Sequence, residues 1–171
     1  MAVRISRRDF LLGFRKRFTS YSVEENTSGV GDLAREGDEA LRQGDYKAAI
    51  SAFERLLQVQ KENLVARQKL GYCYYRNGEI EKAKKEFLLL MERGVESNFL
   101  YLYLGLCFAH EGKLDKAIEV LKGFFDVTKP IVQRAINLQI ALYQSSMAEK
   151  DDFISTIEEA IKEQAKMDRN S

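Results

Sequence analysis

From Val65 to Arg76 the chain carries apolar and aromatic side chains at Leu70, Tyr72, Cys73, Tyr74 and Tyr75. At 3.6 residues per turn these positions fall on two faces of one helix, so both faces call for a covering layer. Asn77-Gly78 comes next and suits a tight turn, because glycine takes positive φ without a Cβ clash. The helical pattern resumes from Lys82 to Arg93, with Ala83 small and Phe87 and Leu90 large. A small residue set among large ones predicts a helical hairpin whose two arms touch closely near Ala83.

The same pattern recurs along the chain. Gly37, Gly71 and Gly105 stand 34 residues apart, and so do Gly44, Gly78 and Gly112. Ala49, Ala83 and Ala117 share that spacing, as do Phe53, Phe87 and Leu121. Four registers with one period define an internal repeat of two helices. The equivalent turns, Gly44 to Tyr46, Gly78 to Ile80 and Gly112 to Leu114, each end in a residue that can plug the joint. A degenerate fourth unit follows. Pro130 suits a first helical turn, Ile131 to Gln144 continues it, and Gln139 replaces the repeat glycine. Ser145 to Lys150 is a longer joint, and Asp151-Asp152 opens a last helix over about Phe153 to Lys166. Ile154, Ile157 and Ile161 share one face of it, and Glu158, Glu159, Lys162 and Glu163 are expected to face water as the lid of the stack.

These residues resemble the tetratricopeptide repeat family over about residues 30 to 131. The signature is Leu70-Gly71, Tyr74, Gly78, Ala83 and Phe87 in one unit and Leu104-Gly105, Phe108, Gly112, Ala117 and Leu121 in the next. The first unit has Gly37, Ala40, Gly44, Tyr46, Ala49 and Phe53, with Glu36 where the family prefers Leu. Leu33, Arg67 and Tyr101 hold the position that favours Trp, and the closing Pro is present only as Pro130, one place late. The resemblance implies an all-α, right-handed superhelical stack of helix-turn-helix repeats with a C-terminal capping helix. Its expected divisions are a basic arm and linker (1–28), repeats at 30–63, 64–97 and 98–131, and a degenerate fourth repeat with the cap at 132–167.

The family's groove-facing positions map onto Ala34, Asp38, Leu41 and Arg42, then Val65, Gln68, Tyr72, Tyr75 and Arg76. They continue as Phe99, Leu102, Leu106, Ala109 and His110, then Gln133, Ile136, Ile140, Tyr143 and Gln144. Such an apolar, aromatic strip suits a helical or extended segment of a partner. The same side chains would also suit packing against a neighbouring helix. Related grooves that clamp a terminal carboxylate use Lys and Asn where this chain has Asp38, Tyr72 and Leu106, which excludes that mode.

Composition narrows the function classes. Lys and Arg number 27 against 26 Asp and Glu, so no global field attracts nucleic acid. One His and two Cys are too few for a closed zinc site, and Cys73 and Cys107 occupy equivalent places suited to packing. No catalytic constellation, phosphate loop or metal motif is present, so neither an enzyme nor a bound cofactor is expected. The longest apolar run, Phe99 to Ala109, is about half the ~20 residues that cross a bilayer.

The first 18 residues differ in kind. Arg4, Arg7, Arg8, Arg15, Lys16 and Arg17 face the single acid Asp9, a local charge of +5. Ser6 to Leu12, Ser-Arg-Arg-Asp-Phe-Leu-Leu, resembles the twin-arginine export motif. The apolar stretch that export requires is absent, because Gly13, Phe14 and the basic cluster follow at once. The expectation is a retained docking arm built on Arg7, Arg8, Phe10, Leu11, Leu12 and Phe14, on a bacterial cytoplasmic protein. A basic tail without fixed structure is the alternative. The arm could also contact an anionic membrane weakly, or swap onto a second copy to form a homo-oligomer. The function expected from the whole chain is a protein-binding adaptor or assembly chaperone, with a redox or secreted client. A type III secretion-like chaperone and a self-assembling, membrane-associated organiser are the alternatives.

Overall fold

The computed structural model describes residues 27–170. They form eight α-helices in a right-handed stack of helix-turn-helix repeats, and among the described residues there is no strand. The helices are α1 (Thr27–Gln43), α2 (Tyr46–Val59), α3 (Leu64–Arg76), α4 (Ile80–Glu92), α5 (Asn98–His110), α6 (Leu114–Leu121), α7 (Pro130–Gln144) and α8 (Lys150–Asn170). Side chains at three helix starts take up backbone donors that have no partner inside the helix. Asp45 accepts from the Ala48 N–H at 3.0 Å, Asn63 from Ala66 at 2.9 Å and Ser97 from Leu100 at 3.1 Å.

The repeated glycines do two separate jobs. Gly78 adopts φ +82°, which lets the Glu79 N–H reach back to the Tyr74 carbonyl at 2.9 Å and close α3. The equivalent turns close in the same way, from Asp45 to Ala40 and from Lys113 to Phe108. The other set is about space. A Cβ on Gly71 would lie 2.8 Å from Cε1 of Phe87, and one on Gly37 would lie 2.6 Å from Cε1 of Phe53. At Gly105 the clash would be with Cγ of Leu121 at 2.5 Å. The paired helices therefore touch where the glycine leaves a socket and the partner helix fills it. Phe53, Phe87 and Leu121 are essentially fully buried, and each such burial stabilises by roughly 1.5–3 kcal/mol.

Regularity ends after α6. That helix has 8 residues where α4 has 13. Tyr101 of α5 presses on Gly123, where a Cβ would meet its Cδ1 at 2.9 Å. Asn98 clamps Phe125, donating to its carbonyl at 2.7 Å and accepting from its N–H at 3.0 Å. Phe124 turns inward and is buried. The chain then runs out through a Thr128–Asp126 turn to Pro130, the first residue of α7.

The last hairpin departs from the pattern of the others. α7 pairs with α8, and α8 folds back against α5. Its Glu158 reaches past α5 to accept from the Tyr75 hydroxyl of α3 at 2.6 Å. α8 thus lies on the side of the first helices, the concave side of the stack, instead of on the convex side with α2, α4 and α6. The expectation that Glu158 faces water is corrected by this contact. Phe153, Ile154, Ile157 and Ala160 of α8 are buried, so the cap joins the main core.

Candidate functional site: a half-covered concave face

The concave face is built from α1, α3 and α5, and α8 divides it. Beneath α8, Leu106 has no exposed surface, and Leu102 and Tyr75 keep only 7% each. Ile136, on α7, is also fully enclosed. The expectation that Leu106, Leu102, Tyr75 and Ile136 line an open groove is therefore corrected. α8 packs against α5 and α7 and its Glu158 holds Tyr75, so the last hairpin takes part in closing this half of the face, and removal of apolar area from water is what seats it. His110 lies at the edge of the covered half, with Nε2 3.3 Å from the Tyr75 hydroxyl and the two rings edge-to-face. Burial lowers the His110 pKa, while the nearby Glu158 pulls it upward. Burial also raises the Tyr75 pKa far above that of a free tyrosine, and the hydrogen bond to Glu158 adds to it. Ile140 and Tyr143 are half-buried on α7, where the Tyr143 hydroxyl donates to Asp115 at the start of α6.

The other half is open. Val65, Gln68, Tyr72 and Phe99 are half-buried, and Arg76 is exposed. The rings of Tyr72 and Phe99 lie 5.7 Å apart, with Tyr103 beneath both at 5.0 Å and 4.6 Å. Tyr46 meets Tyr72 edge-on at 6.4 Å. Arg76 lays its guanidinium 4.8 Å from the Tyr46 ring centre and donates from Nη1 to the Tyr72 hydroxyl at 2.7 Å. Beyond this shelf the α1 surface is polar, a shallow hollow lined by Arg35, Glu36, Asp38, Glu39 and Arg42. Asp38 is paired with Lys69 of α3 at 2.6 Å.

Tyr46, Tyr103 and Glu158 also contribute to this face, although none stands at a groove position of the repeat. Tyr46 opens a second helix, and its aromatic character, where the other units have Ile80 and Leu114, was the available signal. Tyr103 stands where the preceding unit has Lys69, so an aromatic replacing a charge marked a covered surface. Glu158 carried no local signal. The arm residues Arg7, Arg8, Phe10, Leu11, Leu12 and Phe14 lie outside the described residues.

Cys73 and Cys107 are fully buried, and burial pushes their thiols up to about 11 and about 12. Thiols so raised are poor nucleophiles. Among the described residues no group of three or more His, Cys, Asp or Glu side chains could hold a metal ion. No described helix is long and apolar enough to cross a membrane.

Comparison with known proteins agrees with the helical pattern. Residues 40–103 match the family model described as Tetratricopeptide repeat. The matched stretch runs from the end of α1 into α5 and includes the Gly71–Phe87 socket. Tetratricopeptide repeat protein 8 of Caenorhabditis elegans is 30% identical over 94 residues, 55% of this chain and 18% of that protein. The chain thus spans under a fifth of that relative's length. Repeats of this family generally mediate protein–protein interaction.

Proposed function

We propose that this chain is a non-catalytic scaffold, an adaptor or assembly chaperone that holds a helical or extended segment of another protein on the open half of its concave face. The supporting observation is the Tyr72–Phe99 shelf, left half-exposed beside Arg76 while α8 covers the adjoining positions. Aromatic rings on a concave surface offer large contact area at low cost in side-chain entropy. The basic, twin-arginine-like start of the chain favours a redox or secreted client met in the cytoplasm. Its charge also suits loose contact with an anionic membrane.

The test is site-directed photo-crosslinking in cells of the source organism. A crosslinker at position 72 or 99 should capture one and the same partner, and a crosslinker at Lys85 on α4 should not. The Tyr72→Glu, Phe99→Glu double variant should lose that partner while keeping its helical circular dichroism. Capture from position 85 alone would move the binding surface to the convex side and overturn the proposal.

A further inference from the structure

Of the eight described arginines, Arg76, Arg134 and Arg169 pair with no carboxylate, and among these three Arg76 is the one stacked on aromatic rings. Arg35, Arg42, Arg55, Arg67 and Arg93 each pair with a carboxylate. No carboxylate pairs with Arg76 among the described residues; its guanidinium is fixed by the Tyr46 and Tyr72 rings, at 4.8 and 5.7 Å, and by the Tyr72 hydroxyl. A guanidinium has five N–H donors, and the Tyr72 bond uses one. The group is exposed at the rim of the aromatic shelf, so donors remain for a ligand. Aromatic stacking fixes the fork before binding, which reduces the side-chain freedom lost when a carboxylate docks.

We infer that Arg76 is the specificity-determining residue of this face, and that the partner segment is apolar and carries an Asp or Glu side chain which docks on its guanidinium. This rests on the concave-face reading above and names the chemistry of its ligand. The acid would accept a charge-assisted pair of hydrogen bonds, and the neighbouring apolar side chains would lie on Tyr72 and Phe99. Charge also argues against this chain's own first 18 residues as the occupant. They carry +5 and would place like charge against Arg76.

The experiment selects a random twelve-residue peptide library against the full chain. The peptides are displayed with their C-termini fused to the carrier, so only side-chain carboxylates are offered. The wild-type chain should enrich an acidic residue flanked by apolar or aromatic ones. In the best synthetic peptide, changing the acid to its amide should weaken binding about tenfold or more, as loss of a charge-assisted contact does. Arg76→Gln should abolish that difference while apolar selection persists. Arg76→Lys should keep part of it, and Tyr72→Phe should reduce it by freeing the guanidinium. Enrichment of apolar peptides without acids, or equal acid enrichment by Arg76→Gln, overturns the inference and leaves the concave-face reading standing. No enrichment above the Tyr72→Glu, Phe99→Glu control overturns both.

Discussion

The hydroxyl of Tyr75 on α3 lies 2.6 Å from the carboxylate of Glu158 on α8, 83 residues further along the chain. It ties the terminal helix to the second repeat and spans the whole of the third. A hydrogen bond to a charged group in a partly buried setting contributes about 1.5–3 kcal/mol. Tyr75→Phe and Glu158→Gln should each lower stability by about 1–2 kcal/mol, with the half-exposed carboxylate at the low end. The double variant should cost less than the two single changes added together, because both remove the same bond. Urea unfolding of the four proteins measures this, and strict additivity would show that α8 is held without the bond.

Substitution of Gly71 reads the repeat contact. An added Cβ there gains about 1 kcal/mol of helix propensity but meets a fully buried phenylalanine ring, and overpacking costs about 1–3 kcal/mol. Gly71→Ala should therefore be mildly destabilising, and Gly71→Leu should cost several-fold more. Thermal unfolding followed at 222 nm should give that order. Gly71→Leu melting like the wild type would mean that α3 and α4 do not meet at this point.

Glu111 predicts an acid-sensitive joint. Burial opposes its ionisation, but hydrogen bonds from Lys113 and Lys84 outweigh it and hold the carboxyl at about 2, against an ordinary 4.5. Because the folded-state value is the lower one, the stabilisation is complete above about pH 4.5 and is lost as pH falls toward about 2. Melting temperatures of Glu111→Gln should lie below wild type at neutral pH and converge on it across that acid window. Parallel curves from pH 7 down to about 2.5 would remove Glu111 as the responsible group.

Ser146 is the described non-glycine residue with positive φ, at 57°, and it sits in the joint after α7. The Met147 N–H reaches the Leu142 carbonyl at 2.9 Å there, the same closure that glycine makes in the three regular turns. A left-handed conformation costs a residue with a Cβ about 1 kcal/mol, so Ser146→Gly should stabilise by roughly 0.5–1 kcal/mol. Chemical denaturation with an unchanged slope measures the gain, and a loss of stability would mean that the serine side chain has a role in the turn.

Much of the repeat architecture could be read directly from the residues. The 34-residue spacing of Gly37, Gly71 and Gly105 against Phe53, Phe87 and Leu121 located the helix–helix sockets, because a glycine and a large side chain that recur together mark a close approach. The concave face was legible only in its first half. Val65, Gln68, Tyr72, Phe99 and Arg76 are half-buried or exposed, whereas Leu102, Leu106 and Tyr75 are buried. One clue to the difference was present in α5, where Leu100 to Cys107 is apolar on every face. A helix of that kind has to be covered all round.

The sequence by itself determined what each repeat does locally: which residues form helices, where turns need positive φ, and where two helices press together. Those outcomes depend on contacts within about 40 residues, and the periodic pattern encodes them directly. Only the tertiary structure decided where α8 goes. Its apolar face of Phe153, Ile154 and Ile157 could have covered either side of the stack, since hydrophobic burial has no direction of its own. The early end of α6, set by Tyr101 against Gly123 and by the Asn98–Phe125 clamp, accompanies the return of the chain over α5. The tie between Tyr75 and Glu158 then closes one half of the concave face and leaves Tyr72, Phe99 and Arg76 open.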